Sequence, residues 1–161
     1  MVTSNTAIKP LIVTLEEALP IKPFGLEMQV LLTSEQTHRA VSVIYCSHKP
    51  GEGPPDHLHH TLEECIFIVD GSYEVTIAGI TRTVGAGTML FVPRGVTHRF
   101  RNIGTTVGHM LDWSVPGGQD HYFRAISELA VGGGFDNQKA MEISEKHDTH
   151  FPHACGRTAC A

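Results

Sequence analysis

The chain has 161 residues, 41% of them hydrophobic and 18% charged, with a net charge of −5. That length suits one domain with a full core, and the 12 scattered lysines and arginines form no phosphate-tracking face, which excludes nucleic acid as a partner. No apolar run reaches the roughly 20 residues of a bilayer span, which argues against a membrane protein.

The N-terminal stretch MVTSNTAIKPLIVTLEEALP lacks a basic start, and Glu16 and Glu17 cut its apolar run, so it does not read as a signal peptide. LEMQVLLTS and RAVSVIYCS follow as β-rich runs joined by the polar SEQTH, a hairpin pattern. Cys46 and Cys65 fall in strand-like runs, and Cys155 and Cys160 add no framework spacing. Reduced, buried thiols in a cytoplasmic protein are the expectation.

Residues 51–71, GEGPPDHLHHTLEECIFIVDG, concentrate imidazole and carboxylate at the mouth of an apolar strand. In extended chain His57 and His59 share a face and His60 looks away. Two imidazoles side by side are the beginning of a metal site. Glu64 follows at the wrong parity, so the chain must bend around Thr61, Leu62 and Glu63 to return it to that face. Beyond the bend Glu64, Ile66 and Ile68 share one side and Cys65, Phe67 and Val69 the other, predicting a strand buried on both faces. A carboxylate leading into such a strand is costly unless it is paired or bound to a cation.

Glycines at Asp70-Gly71, Ala78-Gly79 and Gly85-Ala86-Gly87 then divide the next segment into four short strands. Pro93-Arg94-Gly95 reads as a turn, after which His98, Phe100 and Asn102 share a face while Arg99 and Arg101 point away. With TVGHMLDWSVP the set comes to about eight strands at close spacing, a sandwich or barrel without βαβ units. After Pro116 the pattern changes. QDHYFRAISELA places Tyr122, Phe123, Ile126 and Leu129 at helical intervals, and NQKAMEISEKH is a second, weaker helix. His147, His150, His153, Cys155 and Cys160 fit no zinc spacing and read as an incidental, mobile tail.

Two spaced patterns now stand out. Gly51, His57-x-His59, Glu64 and Gly71 resemble the first cupin motif, and Gly87, Pro93-x-Gly95, His98 and Asn102 the second, with every fixed position filled. The resemblance implies an all-β double-stranded β-helix, a jelly-roll barrel, with a short C-terminal helical extension. It implies one divalent transition metal ion (Fe, Mn, Ni, Co, Cu or Zn) held by His57, His59, Glu64 and His98. The corresponding division is 1–36 as an N-terminal segment with strands joining the barrel, 37–116 as the barrel core and 117–161 as helical extension and tail.

Four ligands fill a tetrahedral ion and make it structural, whereas five- or six-coordinate metals keep room for a guest. The extension looks similar to that of single-domain cupins grouped with quercetin dioxygenases. The leading expectation is therefore an oxidoreductase of dioxygenase type, acting on a small aromatic or enolisable substrate with Glu64 as the base. A non-redox isomerase, cyclase or decarboxylase comes second and a binding protein without catalysis third. Tyr45, Phe100 and Trp113 are core aromatics that would also suit a pocket wall, and His109 is a core or rim histidine that could touch substrate. His60 and Glu63 would be solvated or would hydrogen-bond a ligand imidazole. Edge-strand pairing suggests a homodimer.

Overall fold

The computed structural model describes residues 7–129 and 135–152; His153, Cys155 and Cys160 lie outside them. Nine strands are found among the described residues: β1 Leu19–Ile21, β2 Glu27–Leu32, β3 Ser42–His48, β4 Glu63–Asp70, β5 Ser72–Ile77, β6 Ile80–Gly85, β7 Met89–Val92, β8 His98–Asn102 and β9 Gly108–Val115. They form two antiparallel sheets facing each other, β1-β2-β3-β9-β4-β7 and β6-β5-β8. This is the jelly-roll arrangement. Two helices follow, α1 Gln119–Leu129 and α2 Asn137–Lys146.

Alternation builds the core. Ile44 and Cys46 of β3, Ile66 and Ile68 of β4, Tyr73 and Val75 of β5, and Met110 of β9 point between the sheets and are buried. The turn from β4 to β5 depends on Gly71, whose φ is 93° and where a Cβ would lie 2.8 Å from Gly108 Cα. At the far end of β8, buried Asn102 donates to the carbonyls of His48 and Thr106 and accepts from the Gly104 amide, tying the end of β3 to the connection between β8 and β9.

The expectation that β4 is buried on both faces is corrected. Its outer residues Phe67 and Val69 are 37% and 39% exposed, and Cys65 is only half-buried. Among the described residues no helix packs on that side of the larger sheet, because α1 and α2 cover the open end of the barrel instead. Ser34 fixes α1 there: its amide donates to Asp120 Oδ2 at 3.0 Å and its hydroxyl to Oδ1. α2 is capped by Asp136, which accepts from the amides of Gln138 and Lys139. Tyr122, Ile126 and Ala140 then form a second small core between the helices. Among the described residues no helix is long and apolar enough to cross a membrane.

Candidate metal centre

The bend demanded by the sequence is present. His57 pairs with His98 through two main-chain hydrogen bonds of 3.0 and 2.9 Å, and the chain then turns at His60 and Thr61 before β4 begins at Glu63. That turn resets the parity, so Glu64 faces the same interior as His57 and His59. The turn before β8 is held onto this segment by the Gly95 amide, which donates to His59 O at 2.6 Å. The first and second motifs thus meet through main-chain bonds before any side chain is considered.

His57, His59, Glu64 and His98 are all buried, and one ligand atom from each lies within 4.8 Å of the others. Each imidazole spends its Nδ1–H on a carbonyl. His57 donates to Pro55 O at 2.9 Å, His98 to Val96 O at 3.0 Å and His59 to Asp148 O at 2.7 Å. This choice of tautomer leaves the three Nε2 lone pairs aimed inward. Glu64 Oε2 lies 2.5 Å from His98 Nε2 and 3.5 Å from His59 Nε2, while Oε1 accepts from Gln119 Nε2 at 2.9 Å.

Neutral rings cannot satisfy this geometry. With Nδ1 protonated, Nε2 is an acceptor, and facing it with a carboxylate oxygen sets lone pair against lone pair. Either a proton lies between ring nitrogen and carboxylate or a cation takes the space between them. His59 Nε2 has no hydrogen-bond partner although it is buried. Three nitrogen lone pairs, one of them on an orphaned buried atom, and one carboxylate fit a metal ion.

The electrostatics agree. Burial, aided by the nearby His98, holds the His57 imidazole down at about 4, so that ring stays neutral. His59 is also opposed by burial, but the Glu64 carboxylate outweighs it and raises the ring. Burial likewise works against ionised Glu64, yet His59 and His98 together keep its carboxyl well below the usual range. An ionised carboxylate buried this deeply requires positive charge beside it.

Above the ligands lies a cavity of about 740 Å³. Phe24, Phe100, Tyr122, Phe123, Phe135 and Phe151 supply its aromatic walls, and among the described residues no lysine or arginine lines it. Arg99 and Arg101 point out of the barrel, Arg99 pairing with Asp56 at 3.2 Å. Phe100 alone of the four expected substrate contacts reaches the cavity. Tyr45, His109 and Trp113 are corrected: they occupy outward positions of β3 and β9, and Tyr45 stacks on His109 with ring centres 5.4 Å apart.

The inward positions on those strands hold His48 and Asp112, which both line the cavity and were not singled out in the sequence. Burial lowers the His48 ring to about 4. Burial, then the neighbouring Glu64, raises the Asp112 carboxyl well above its ordinary value. Parity counted from Met110 would have found Asp112, and from Ile44, His48.

His60 and Glu63 do not orient the ligand rings. Glu63 pairs with Arg94 at 2.8 Å on the rim, and His60 lies against His150 with ring centres 4.6 Å apart. The reading of the tail as incidental also fails for its described part. His150 pairs with Leu58 through two main-chain bonds, and Thr149 and Phe151 line the cavity.

Comparison with known proteins agrees with this geometry. The Cupin domain family profile matches residues 44–114. Polyketide synthase CurC of Streptomyces cyaneus is 30% identical over 105 residues, 65% of this chain and 68% of that protein. Two solved structures share the fold. A predicted oxalate decarboxylase from Thermotoga maritima has TM-score 0.61 and 24% identity, covering 66% of this chain and 99% of that one. The polyketide cyclase RemF from Streptomyces resistomycificus has TM-score 0.56 and 20% identity, covering 66% and 80%. Two filled motifs, a two-sheet barrel, a converging His/Glu cluster and these matches lead to one assignment: the chain belongs to the cupin superfamily.

Proposed function

We propose that this protein is a metal-dependent cupin enzyme that takes a flat, enolisable, polyketide-like substrate and closes or dehydrates a ring without consuming oxygen. The observation that carries this reading is the cavity. It is large, walled by aromatic rings and free of a lining cation among the described residues, with His57, His59 and Glu64 on its floor. Such a space suits an extended planar molecule, and among the described residues it has no lysine or arginine to hold the second carboxylate of a small dianionic acid. The 30% identity to Polyketide synthase CurC moves the emphasis from dioxygenation to ring closure.

A divalent ion held by His57, His59, Glu64 and His98 would supply Lewis acidity toward substrate oxygens. Glu64 takes the proton from the acidic substrate position through Oε2 and returns it to the substrate oxygen that departs as water, and Gln119 keeps the carboxylate in place by donating to Oε1. Phe100 and Phe123 stack against the substrate plane and exclude bulk water. The free thiols of Cys46 and Cys65 support a reducing, cytoplasmic setting. The apolar outer face of the larger sheet supports a homodimer.

Protein loaded in turn with Fe, Mn, Co, Ni, Cu or Zn, and incubated with a panel of flavonols, 1,3-dicarbonyls and poly-β-ketone mimics, tests the proposal. Oxygen-electrode traces and product masses are followed together. Substrate loss with release of water and flat oxygen traces is the expected result. Stoichiometric oxygen uptake would restore the dioxygenase reading, and saturable binding without turnover would leave a binding protein.

A further inference from the structure

The three ligand imidazoles are not oriented in the same way. His57 and His98 each donate to a carbonyl two residues earlier in their own segment. His59 donates instead to the carbonyl of Asp148, 89 residues away and outside the matched barrel region. The Asp148 side chain does further work at the same place. Its carboxylate accepts from the His60 amide at 2.8 Å, the Thr61 amide at 2.7 Å and the Thr61 hydroxyl at 2.7 Å. Those bonds close the bend that returns Glu64 to the interior.

The flanking residues share the task. Leu58 and His150 exchange main-chain hydrogen bonds of 2.9 and 3.0 Å, and the Phe151 ring lies 6.2 Å from that of His57. A short C-terminal segment is therefore added as a strand-like edge to the peptide that carries two ligands.

We propose that Asp148 is the positioning residue of His59, and that the segment Asp148–Phe151 completes a metal site the barrel alone leaves unfinished. The inference rests on the metal reading of the site. Without the Asp148 carboxylate the bend before Glu64 loses its three caps, and the segment whose carbonyl selects the His59 tautomer loses its anchor. Loss of such an outer partner typically weakens metal binding about 10–100-fold.

Asp148 has a left-handed backbone, φ 60°, which glycine and asparagine tolerate better than alanine. Asp148→Gly keeps the main-chain carbonyl and removes the caps, while Asp148→Asn retains one acceptor. Co(II) is titrated into the full-length protein against a competing chelator, with the visible spectrum recorded. Asp148→Gly is expected to bind about 10–100-fold more weakly than the parent with an altered spectrum, and Asp148→Asn to fall between them. In a His59→Ala background the same Asp148→Gly step is expected to cost less, because the part of the loss that comes from the loosened Asp148 carbonyl needs the ring that it orients.

Linkage supplies a test without substitution, since docking that favours the ion must be favoured by it. Co(II) is expected to slow hydrogen exchange at the Leu58 and His150 amides. The inference is overturned if the parent binds Co(II) and Asp148→Gly binds it equally well, if the loss persists undiminished beside His59→Ala, or if both amides exchange unchanged. A Gly variant that fails to fold leaves the Asn variant and the exchange measurement to decide. A parent that binds no Co(II) removes the metal reading itself, a different failure from an unaffected Asp148 variant.

Discussion

His98 Nε2 stands 2.5 Å from Glu64 Oε2 while the opposite ring nitrogen donates to Val96 O. Both nitrogens of one ring thus face acceptors, which a neutral imidazole cannot satisfy. In metal-free protein a proton must lie between that nitrogen and the carboxylate oxygen, and an arriving cation must displace it. Metal binding is therefore expected to release protons and to weaken as pH falls. Calorimetric titration in buffers of different ionisation enthalpy measures the release, and a heat independent of buffer would contradict it. Glu64→Gln is expected to abolish turnover while weakening metal binding less than loss of any ligand histidine. Retained turnover would remove Glu64 from its proposed role as base.

Gln119 extends the same network into the helical extension. It donates to Glu64 Oε1 at 2.9 Å from the first position of α1, and both side chains are buried. Gln119→Leu would leave a buried carboxylate oxygen without its donor, a loss of about 1–3 kcal/mol. Chemical denaturation of metal-free protein reads that loss. Turnover is expected to fall as well, because the carboxylate is no longer held in one orientation. A variant as stable and active as the parent would show the hydrogen bond to be incidental.

How much of this was legible beforehand depended on whether a local rule or a long-range packing decision set the feature. The ligands were legible because their spacing is local: alternate residues share a face, and the parity fault at Glu64 announced a bend that occurs at His60 and Thr61. The glycine-marked turns were legible for the same reason. Tyr45 and Trp113 misled because both faces of β3 and β9 carry apolar residues, so alternation alone could not say which faced the interior. His48 and Asp112 were the better signals, being polar residues at positions that alternate with outward aromatics. Asp148 was not legible at all, since its partners lie at His59, His60 and Thr61 and no local pattern links them.

His48 gives the interior a titration that is independent of the ligands. Burial brings its ring down to about 4 from an ordinary value of 6.5. Both states are neutral above pH 6.5, so nothing is lost there. As pH falls from 6.5 to about 4 the unfolded chain takes up a proton that the folded chain refuses, and stability declines. The full effect at this site is roughly 3 kcal/mol. His48→Phe is expected to flatten the stability profile over that window when both proteins are unfolded by denaturant in the presence of a chelator. Parallel profiles for parent and variant would refute it.

The outer face of the larger sheet makes the last prediction. Phe67, Val69, Met89, Phe91 and Val115 are 37–57% exposed and come from adjacent strands β4, β7 and β9. Together they form an apolar surface of the kind that soluble proteins usually cover. A second copy of the chain would bury it through a self-complementary, two-fold contact. Phe91 is the most exposed of the five at 57%, and its side chain leaves the barrel on the side opposite the ligands. Phe91→Glu would place like charges against each other across such a contact while leaving the cavity untouched. Sedimentation is expected to show a dimer for the parent and a monomer for the variant, with Co(II) affinity unchanged. A parent that sediments as a monomer at high concentration would mean that the face is covered by something other than its own copy. A variant that loses Co(II) binding together with the dimer would mean that the outer face supports the metal centre.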